Sequence, residues 1–130
     1  MTYLHQKHFT LGQARGLLRG IISLIEELVS LKRTLDERRY DISRHQYFGR
    51  SGSNGESFYP PELVRLVEIA KNLDQQGILL KGPDDGLIDF PHIRSNGEEV
   101  YLCWKLGEND IHYWHSIPDG FAGRRPIQEL

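Results

Sequence analysis

The chain has few of the residues that mark several common classes of protein. Its 130 residues include a single cysteine, Cys103, which cannot form an internal disulfide or a zinc site built from several cysteines. Lys and Arg number 16 against 18 Asp and Glu, so the formal net charge is -2 and the basic excess of a general nucleic-acid binder is missing. We therefore expect a protein of a reducing compartment with no nucleic-acid partner.

Long apolar runs are also missing. No stretch approaches the roughly 18 consecutive apolar residues of a membrane span, and the N-terminus, MTYLHQKHF, lacks the apolar core of a signal peptide. This predicts a cytoplasmic protein with no membrane partner. The hydrophobic content of 38% is ordinary, and a chain of this length buries roughly two thirds of its unfolded surface. We expect one domain over residues 1–130.

The first part of the chain, residues 10–77, has the pattern of a long antiparallel helical hairpin. Thr10 and Gln13 form a capping-box pattern, and apolar residues then recur at spacings of three and four as far as about Tyr47. Residues 49–59 are rich in glycine and serine, which predicts a flexible loop.

A second amphipathic helix follows this loop. Pro60-Pro61 suits a first helical turn, and Gly77 stands at the usual place of a left-handed cap. The second helix is shorter than the first, so we expect it to cover only the C-terminal half of the first helix. The rest of the first helix then needs another cover.

The second part, residues 78–130, has the pattern of a β-meander followed by a C-terminal tail. Three runs rich in β-branched and aromatic residues predict a three-stranded antiparallel meander: residues 87–93, 100–106 and 111–115. Residues 78–80 are a candidate fourth strand. Helices followed by antiparallel strands place the chain in the α+β class.

Two turns define the expected register of these strands. Asn96-Gly97 predicts a two-residue hairpin loop, because both central positions of a type I′ turn need positive φ. This loop puts Asp89 opposite Trp104. A second turn at Glu108-Asn109 puts Tyr113 on the other side of Trp104.

In this register Asp89 and His115 share a face with Trp104, whereas Cys103 and Trp114 lie on the other face. Both faces are largely apolar, and a helical hairpin covers only one of them. Either the C-terminal tail, residues 121–130, or a second subunit covers the other face. We therefore predict a homodimer.

Several phrases of the sequence are distinctive. They are FTLGQA (9–14), GLIDFP (86–91), VYLCWKLGE (100–108), YWH (113–115) and GFAGRRPI (120–127). Together they resemble a prokaryotic family catalogued as domain of unknown function 2203. The resemblance implies no settled activity, although some members carry labels as cell-division or metal-binding proteins.

Four polar side chains in or beside these phrases predict a divalent-metal site, and they are Asp89, Glu108, His112 and His115. Imidazole and carboxylate ligands suit Zn, Mn, Fe, Co or Ni. In the expected register Asp89 and His115 have Cα atoms ~12 Å apart, too far for a shared ion unless the sheet is strongly twisted. Glu108 and His112 approach each other if the turn folds back. The alternative is that all four are satisfied polar residues at a sheet rim.

An anion site is a second hypothesis, at Gly120, Gly123 and Arg124. Glycines let backbone N–H groups point at an anion, and an arginine adds a bidentate fork. The alternative is that the glycines are turn residues and that Arg124 pairs with Asp89 or Glu108. Asp89 on an apolar face needs a partner, and Arg124 is our first choice for it.

Three glycines, Gly12, Gly16 and Gly20, follow one face of the first helix and depart from the Glu- and Leu-rich first helix associated with the resembled family. Either a tryptophan ring or the same helix of a second subunit packs closely against them, or the helix tolerates them.

Two functions remain open from the sequence. The first is a small binding protein with a metal or anion site at the sheet rim, and the second is a non-enzymatic scaffold that oligomerises through its helices. Nothing in the sequence favours an enzyme, since a mid-strand cysteine such as Cys103 is typical of inert core and no Gly-x-Ser-x-Gly elbow occurs.

Overall fold

The computed structural model describes residues 2–49 and 58–130, and it contains two helices followed by a five-stranded antiparallel sheet. The helices are α1 (Leu11–Glu37) and α2 (Pro61–Gln75). The strands are β1 (Leu79–Gly82), β2 (Leu87–Ile93), β3 (Glu99–Lys105), β4 (Tyr113–Ser116) and β5 (Arg125–Pro126). The predicted α+β class is confirmed, and residues 50–57 of the predicted loop at residues 49–59 lie outside the described residues.

Helix α1 begins as predicted and ends earlier. The capping box of Thr10 and Gln13 is present in both directions. The helix stops at Glu37, because Arg39 adopts a left-handed φ of 58° and its N–H bonds back into the last turn. The prediction of a helix to about Tyr47 was wrong, since an arginine occupies the position where a glycine would have marked the end.

Helix α2 ends as predicted, with Gly77 in the left-handed region at φ 84°. Two ion pairs join the helices: Arg38 to Glu62, and Glu27 to Arg65. These pairs put the start of α2 beside the end of α1, which is the order of an antiparallel pair. None of the described helices has the length and apolarity that crossing a membrane requires.

The glycine face of α1 is open. A Cβ built at Gly12, Gly16 or Gly20 would meet no atom within 4 Å. No tryptophan ring packs there, so that interpretation was wrong. Contact of this face with a second subunit stays a prediction.

The sheet has the order β1-β2-β3-β4-β5, and all neighbours are antiparallel. The three predicted strands form its centre. The candidate fourth strand is β1, and β5 in the C-terminal tail was not predicted. The sheet therefore has five strands where three were predicted.

The hairpin loop between β2 and β3, counted between the hydrogen-bonded residues Arg94 and Glu98, has three residues and not the predicted two. Arg94 donates its N–H to the carbonyl of Glu98, and Gly97 donates to the carbonyl of Arg94, both at 2.8 Å. Gly97 has φ 89°, so a type I turn is followed by a left-handed glycine. The expected register is consequently wrong by one residue.

The shift changes the partners of β3. Asp89 pairs with Cys103 instead of Trp104, and Cys103 pairs with Tyr113 on β4. The register between β3 and β4 is also shifted by one residue, because the loop before β4 is longer than predicted. Within that loop, the carbonyl of Glu108 accepts a hydrogen bond from the Trp104 indole. Side chains alternate along a strand, so a one-residue shift exchanges the two faces of β3.

One side of the sheet, the helix face, packs against the helices. Its buried side chains form one core with those of α1 and α2: Ile88, Phe90, Val100, Leu102, Trp104 and Trp114. The ring of Phe90 meets that of Phe9, just before α1, edge-on at 5.5 Å. Burial of each such side chain stabilises the fold by roughly 1.5–3 kcal/mol.

The other side, the outer face, carries Asp89, Tyr101, Cys103 and His115, and each is at most 3% exposed. Its described cover comes from the same chain: residues 3–8, which we call the N-terminal strap, the side chain of Lys81 and residue Arg124 of the tail. A second subunit is therefore not needed to bury this face. The homodimer stays a prediction without that support.

Candidate metal centre

Three adjacent strands of the outer face each contribute one potential metal ligand. Asp89 lies on β2, Cys103 on β3 and His115 on β4, and alternation points the three side chains to the same side. One ligand atom of each lies within 4.8 Å of those of the other two. All three residues are buried, and they are the one such group among the described residues.

His115 is held at both ring nitrogens. Its Nδ1 lies 2.8 Å from the carbonyl of Ser116, which can only accept, so Nδ1 carries a hydrogen. Its Nε2 lies 3.1 Å and 3.2 Å from the two carboxylate oxygens of Asp89. Since both oxygens of an ionised carboxylate accept, either a proton or a cation must lie between the two side chains.

The same contacts shift the ionisation of His115. Burial alone would lower its pKa, but the hydrogen bonds to Asp89 and to the Ser116 carbonyl outweigh burial, and the pKa is raised above its ordinary value. In the absence of a metal ion this pair favours the protonated imidazole.

Cys103 is a poor nucleophile in this setting. Burial, together with the nearby Asp89 carboxylate, raises the pKa of its thiol to about 12. The thiol is therefore protonated near neutral pH, which argues against nucleophilic catalysis by this residue. A bound cation would reverse this, because metal ligation deprotonates a thiol.

Tyr101 closes one side of the group. It pairs with His115 across the strands, and their rings meet edge-on at 5.5 Å. Its hydroxyl lies 2.6 Å from Nε2 of His5 in the N-terminal strap, and Nζ of Lys81 lies 5.0 Å from its ring centre. Burial, and after it the Asp89 charge, raises the pKa of Tyr101, so the phenol stays neutral.

Of the four predicted metal ligands, the structure brings two together. Asp89 and His115 are in contact, so the expectation that they lie too far apart was wrong: their side chains converge above β3. The other two are elsewhere. Glu108 binds Arg124, and His112 is exposed with its Nε2 2.7 Å from the side-chain oxygen of Asn109.

Arg124 does not pair with Asp89. Its guanidinium donates to both carboxylate oxygens of Glu108, at 2.6 Å and 2.8 Å, which was the other partner considered. It also lies 4.2 Å from the ring centre of Tyr113. Gly120 has φ 66° and its carbonyl accepts from the N–H of Gly123, so both glycines form a turn. The anion site stays a prediction.

Sequence reasoning missed Cys103 as a site residue. The expected register put Cys103 on the face opposite Asp89 and His115. The β2–β3 and β3–β4 registers both differ from the expected ones by one residue in the same direction, so Asp89 and His115 keep their expected positions relative to each other. The available signal was the ambiguity of Asn96-Gly97, which also fits a three-residue loop with glycine in the left-handed position.

Comparison with known proteins identifies a family without assigning an activity. A family model described as an uncharacterized conserved protein, DUF2203, matches residues 7–127. No curated protein and no solved structure matches the chain.

Proposed function

The chain belongs to the DUF2203 family of uncharacterized conserved proteins, and we propose that it binds a divalent metal ion through Asp89, Cys103 and His115. The observation that carries the proposal is the convergence of a carboxylate, a thiol and an imidazole from three strands, all within 4.8 Å and all buried. Buried polar groups of this kind need partners, and a cation would satisfy all three at once.

The spacing of the donor atoms suits a first-row metal. Bond lengths near 2.0 Å to nitrogen and oxygen and 2.3 Å to sulfur place tetrahedral ligand atoms roughly 3.3–3.6 Å apart. The contact between His115 Nε2 and Asp89 is already at 3.1–3.2 Å. Small side-chain movements are sufficient to form the site.

The support around His115 also has the form found at metal sites. Metal-binding histidines usually donate the second ring N–H to a carbonyl or carboxylate, which fixes the ring and leaves the other nitrogen for the ion. Here Nδ1 bonds to the Ser116 carbonyl, and Nε2 points into the group.

The donor set selects among metals. A thiolate with an imidazole and a carboxylate favours zinc, or cobalt, iron or nickel, over the hard ions magnesium, calcium and manganese. Such a thiolate survives where cysteines stay reduced, which agrees with the expected cytoplasmic location.

Metal content and variants test the proposal. Protein purified without a histidine tag or chelator is expected to bind one equivalent of Zn²⁺ or Co²⁺, and the Co²⁺ form should show thiolate charge-transfer absorption. Cys103→Ala and His115→Ala should each lose the ion. Metal analysis and Co²⁺ spectroscopy are the measurements.

His112→Ala is the matched control, because His112 is an exposed histidine near the same strand and outside the group. It should bind like the wild type. If wild-type protein takes up no ion and its melting temperature does not respond to Zn²⁺ or Co²⁺, the proposed function is wrong. If His112→Ala and Glu108→Ala lose the ion instead, the site lies at the rim predicted from the sequence.

The competing function is a homodimeric scaffold, and the open glycine face of α1 favours it. Gly16 leaves room for a second backbone, which is the use of small residues at helix contacts. Light scattering tests this. Under the scaffold hypothesis the wild type is a dimer and Gly16→Leu a monomer, whereas a monomeric wild type rejects it.

A further inference from the structure

The N-terminal strap lies against the candidate metal centre without belonging to it. Its fixed point is Glu99 on β3, whose side chain is only 9% exposed. The two carboxylate oxygens accept three hydrogen bonds from the strap: from the N–H of Leu4 at 2.8 Å, from the N–H of His5 at 3.0 Å and from the His8 ring at 2.7 Å.

These bonds are stronger than ordinary turn contacts. Hydrogen bonds to a charged group contribute about twice as much as neutral ones, and here one carboxylate holds three donors from an irregular segment. Burial opposes the charge of Glu99, but the His8 ring and the two backbone N–H groups outweigh it, so the pKa of Glu99 is lowered. The carboxylate therefore remains charged near neutral pH.

The strap reaches the centre through Tyr101. Its His5 ring contacts the Tyr101 hydroxyl, and the Tyr101 ring lies edge-on against His115. Tyr101 is 3% exposed, and its described neighbours on the solvent side are His5 and Lys81. Among the described residues, Lys81 is exposed and contacts only the ring of Tyr101 in this cover, whereas the strap is held by the hydrogen bonds to Glu99.

The remaining sides of the centre are less able to open. Cys103 and its neighbours belong to central strands paired on both edges, the helix face below them is packed core, and Arg124 of the tail is held by two hydrogen bonds to Glu108. Irregular segments outside helices and strands, such as residues 3–8, open at a much lower free-energy cost than paired central strands.

We propose that the N-terminal strap is a gate that controls entry and release of the metal ion at Asp89, Cys103 and His115. The gate opens when the strap leaves Glu99 and frees the Tyr101 ring to move from His115. This inference rests on the proposed metal site, and it concerns the rate of exchange, since none of the strap residues is among the three ligands.

The rate of metal extraction tests the gate. Co²⁺-loaded protein is mixed with excess EDTA, and loss of the thiolate charge-transfer band is followed by stopped flow. Glu99→Leu removes the acceptor of the Leu4, His5 and His8 hydrogen bonds, so extraction should be at least tenfold faster than in the wild type, the factor that corresponds to the loss of a single net hydrogen bond to a charged group. Glu99→Gln keeps an acceptor and should fall between the two.

Glu98→Gln is the matched control, because Glu98 is the neighbouring residue and pairs with Arg94 instead of the strap. It should exchange like the wild type. Tyr101→Phe keeps the ring and loses the contact to His5, and it should also accelerate extraction.

Three results separate the alternatives. Faster extraction with an unchanged Co²⁺ spectrum supports the gate. Equal rates in Glu99→Leu, Tyr101→Phe and the wild type overturn it, and so does an altered spectrum in Glu99→Leu, because Glu99 would then act on the ligands themselves. Absence of Co²⁺ binding by the wild type would instead reject the proposed function.

Discussion

Both faces of the sheet are buried at their centres, and they are built on different principles. The helix face excludes water by packing large apolar side chains, such as Phe90 and Trp104, against two helices. The outer face excludes water with a strap, a lysine and a tail, and the groups it buries are a carboxylate, a thiol and an imidazole. Burial on the helix face stabilises the fold, whereas burial on the outer face keeps ionisable side chains close together and away from water.

The difference matters because the two kinds of burial have opposite costs. An apolar side chain gains free energy when it leaves water, and its exact partner matters little. A polar group loses free energy unless its partners are in the right place. The helix face therefore tolerates rearrangement, and the outer face depends on register.

The largest expected effect is on the helix face. Phe90→Ala should lower the free energy of unfolding by about 3–5 kcal/mol, because it removes a fully buried ring and leaves a cavity under Phe9. Urea unfolding measures the loss. A cost below about 1 kcal/mol would mean that this face is not the core we describe.

On the outer face, His115→Ala should cost roughly 3 kcal/mol in metal-free protein, the lower end of the range for breaking a buried ion pair. Urea unfolding at neutral pH is the measurement. A double replacement, Asp89→Leu with His115→Leu, should restore much of the stability while metal binding remains lost.

Cys103→Ala should separate stability from binding most clearly. It shortens a buried side chain by one sulfur atom, so the expected loss of stability is about 1 kcal/mol or less. Metal binding should nevertheless disappear. In metal-free wild type, the raised thiol pKa also predicts slow reaction with disulfide reagents at pH 7 until the protein unfolds.

The smallest effect belongs to the half-buried pair of Glu108 and Arg124, at the border of the outer face. Burial alone would raise the pKa of Glu108. The hydrogen bonds from Arg124 and from the Lys105 N–H outweigh burial, so the pKa lies below the ordinary value of 4.5. Its contribution to stability, about 0.5 kcal/mol, is present above pH 4.5 and is lost as the pH falls through the lowered value.

Urea unfolding of Glu108→Gln and the wild type across this pH range tests the sign. The difference should be constant at neutral pH and vanish in acid. Glu26→Gln, on the exposed side of α1, is the control and should show little difference at any pH. A difference that grows in acid would contradict the assignment.

Much of the architecture was predictable from local signals. The capping box at Thr10, the cap at Gly77 and the limits of β2 all follow from patterns within a few residues. The end of α1 was not predictable, because Arg39 adopts the left-handed conformation that glycine, and not arginine, usually indicates. The short strand β5 was not predictable either, because two residues are too few to show the alternation of apolar and polar side chains that indicates a strand.

The candidate site was predictable only in part. Asp89 and His115 were predicted as ligands by residue type and by their relation across two strands, and the structure brings their side chains into contact. Glu108 and His112 were chosen on the same evidence, and the structure directs them to Arg124 and to Asn109 instead.

The sequence by itself determined the two helices, the meander and the apolar alternation that buries the sheet, since each depends on interactions between near neighbours. Only the tertiary structure decided which face of β3 meets Asp89 and His115. Asn96-Gly97 fits a loop of two or three residues at similar local cost, and one residue exchanges Trp104 for Cys103 beneath those side chains. The packing of both faces at once selects the longer loop, and with it the buried group of Asp89, Cys103 and His115.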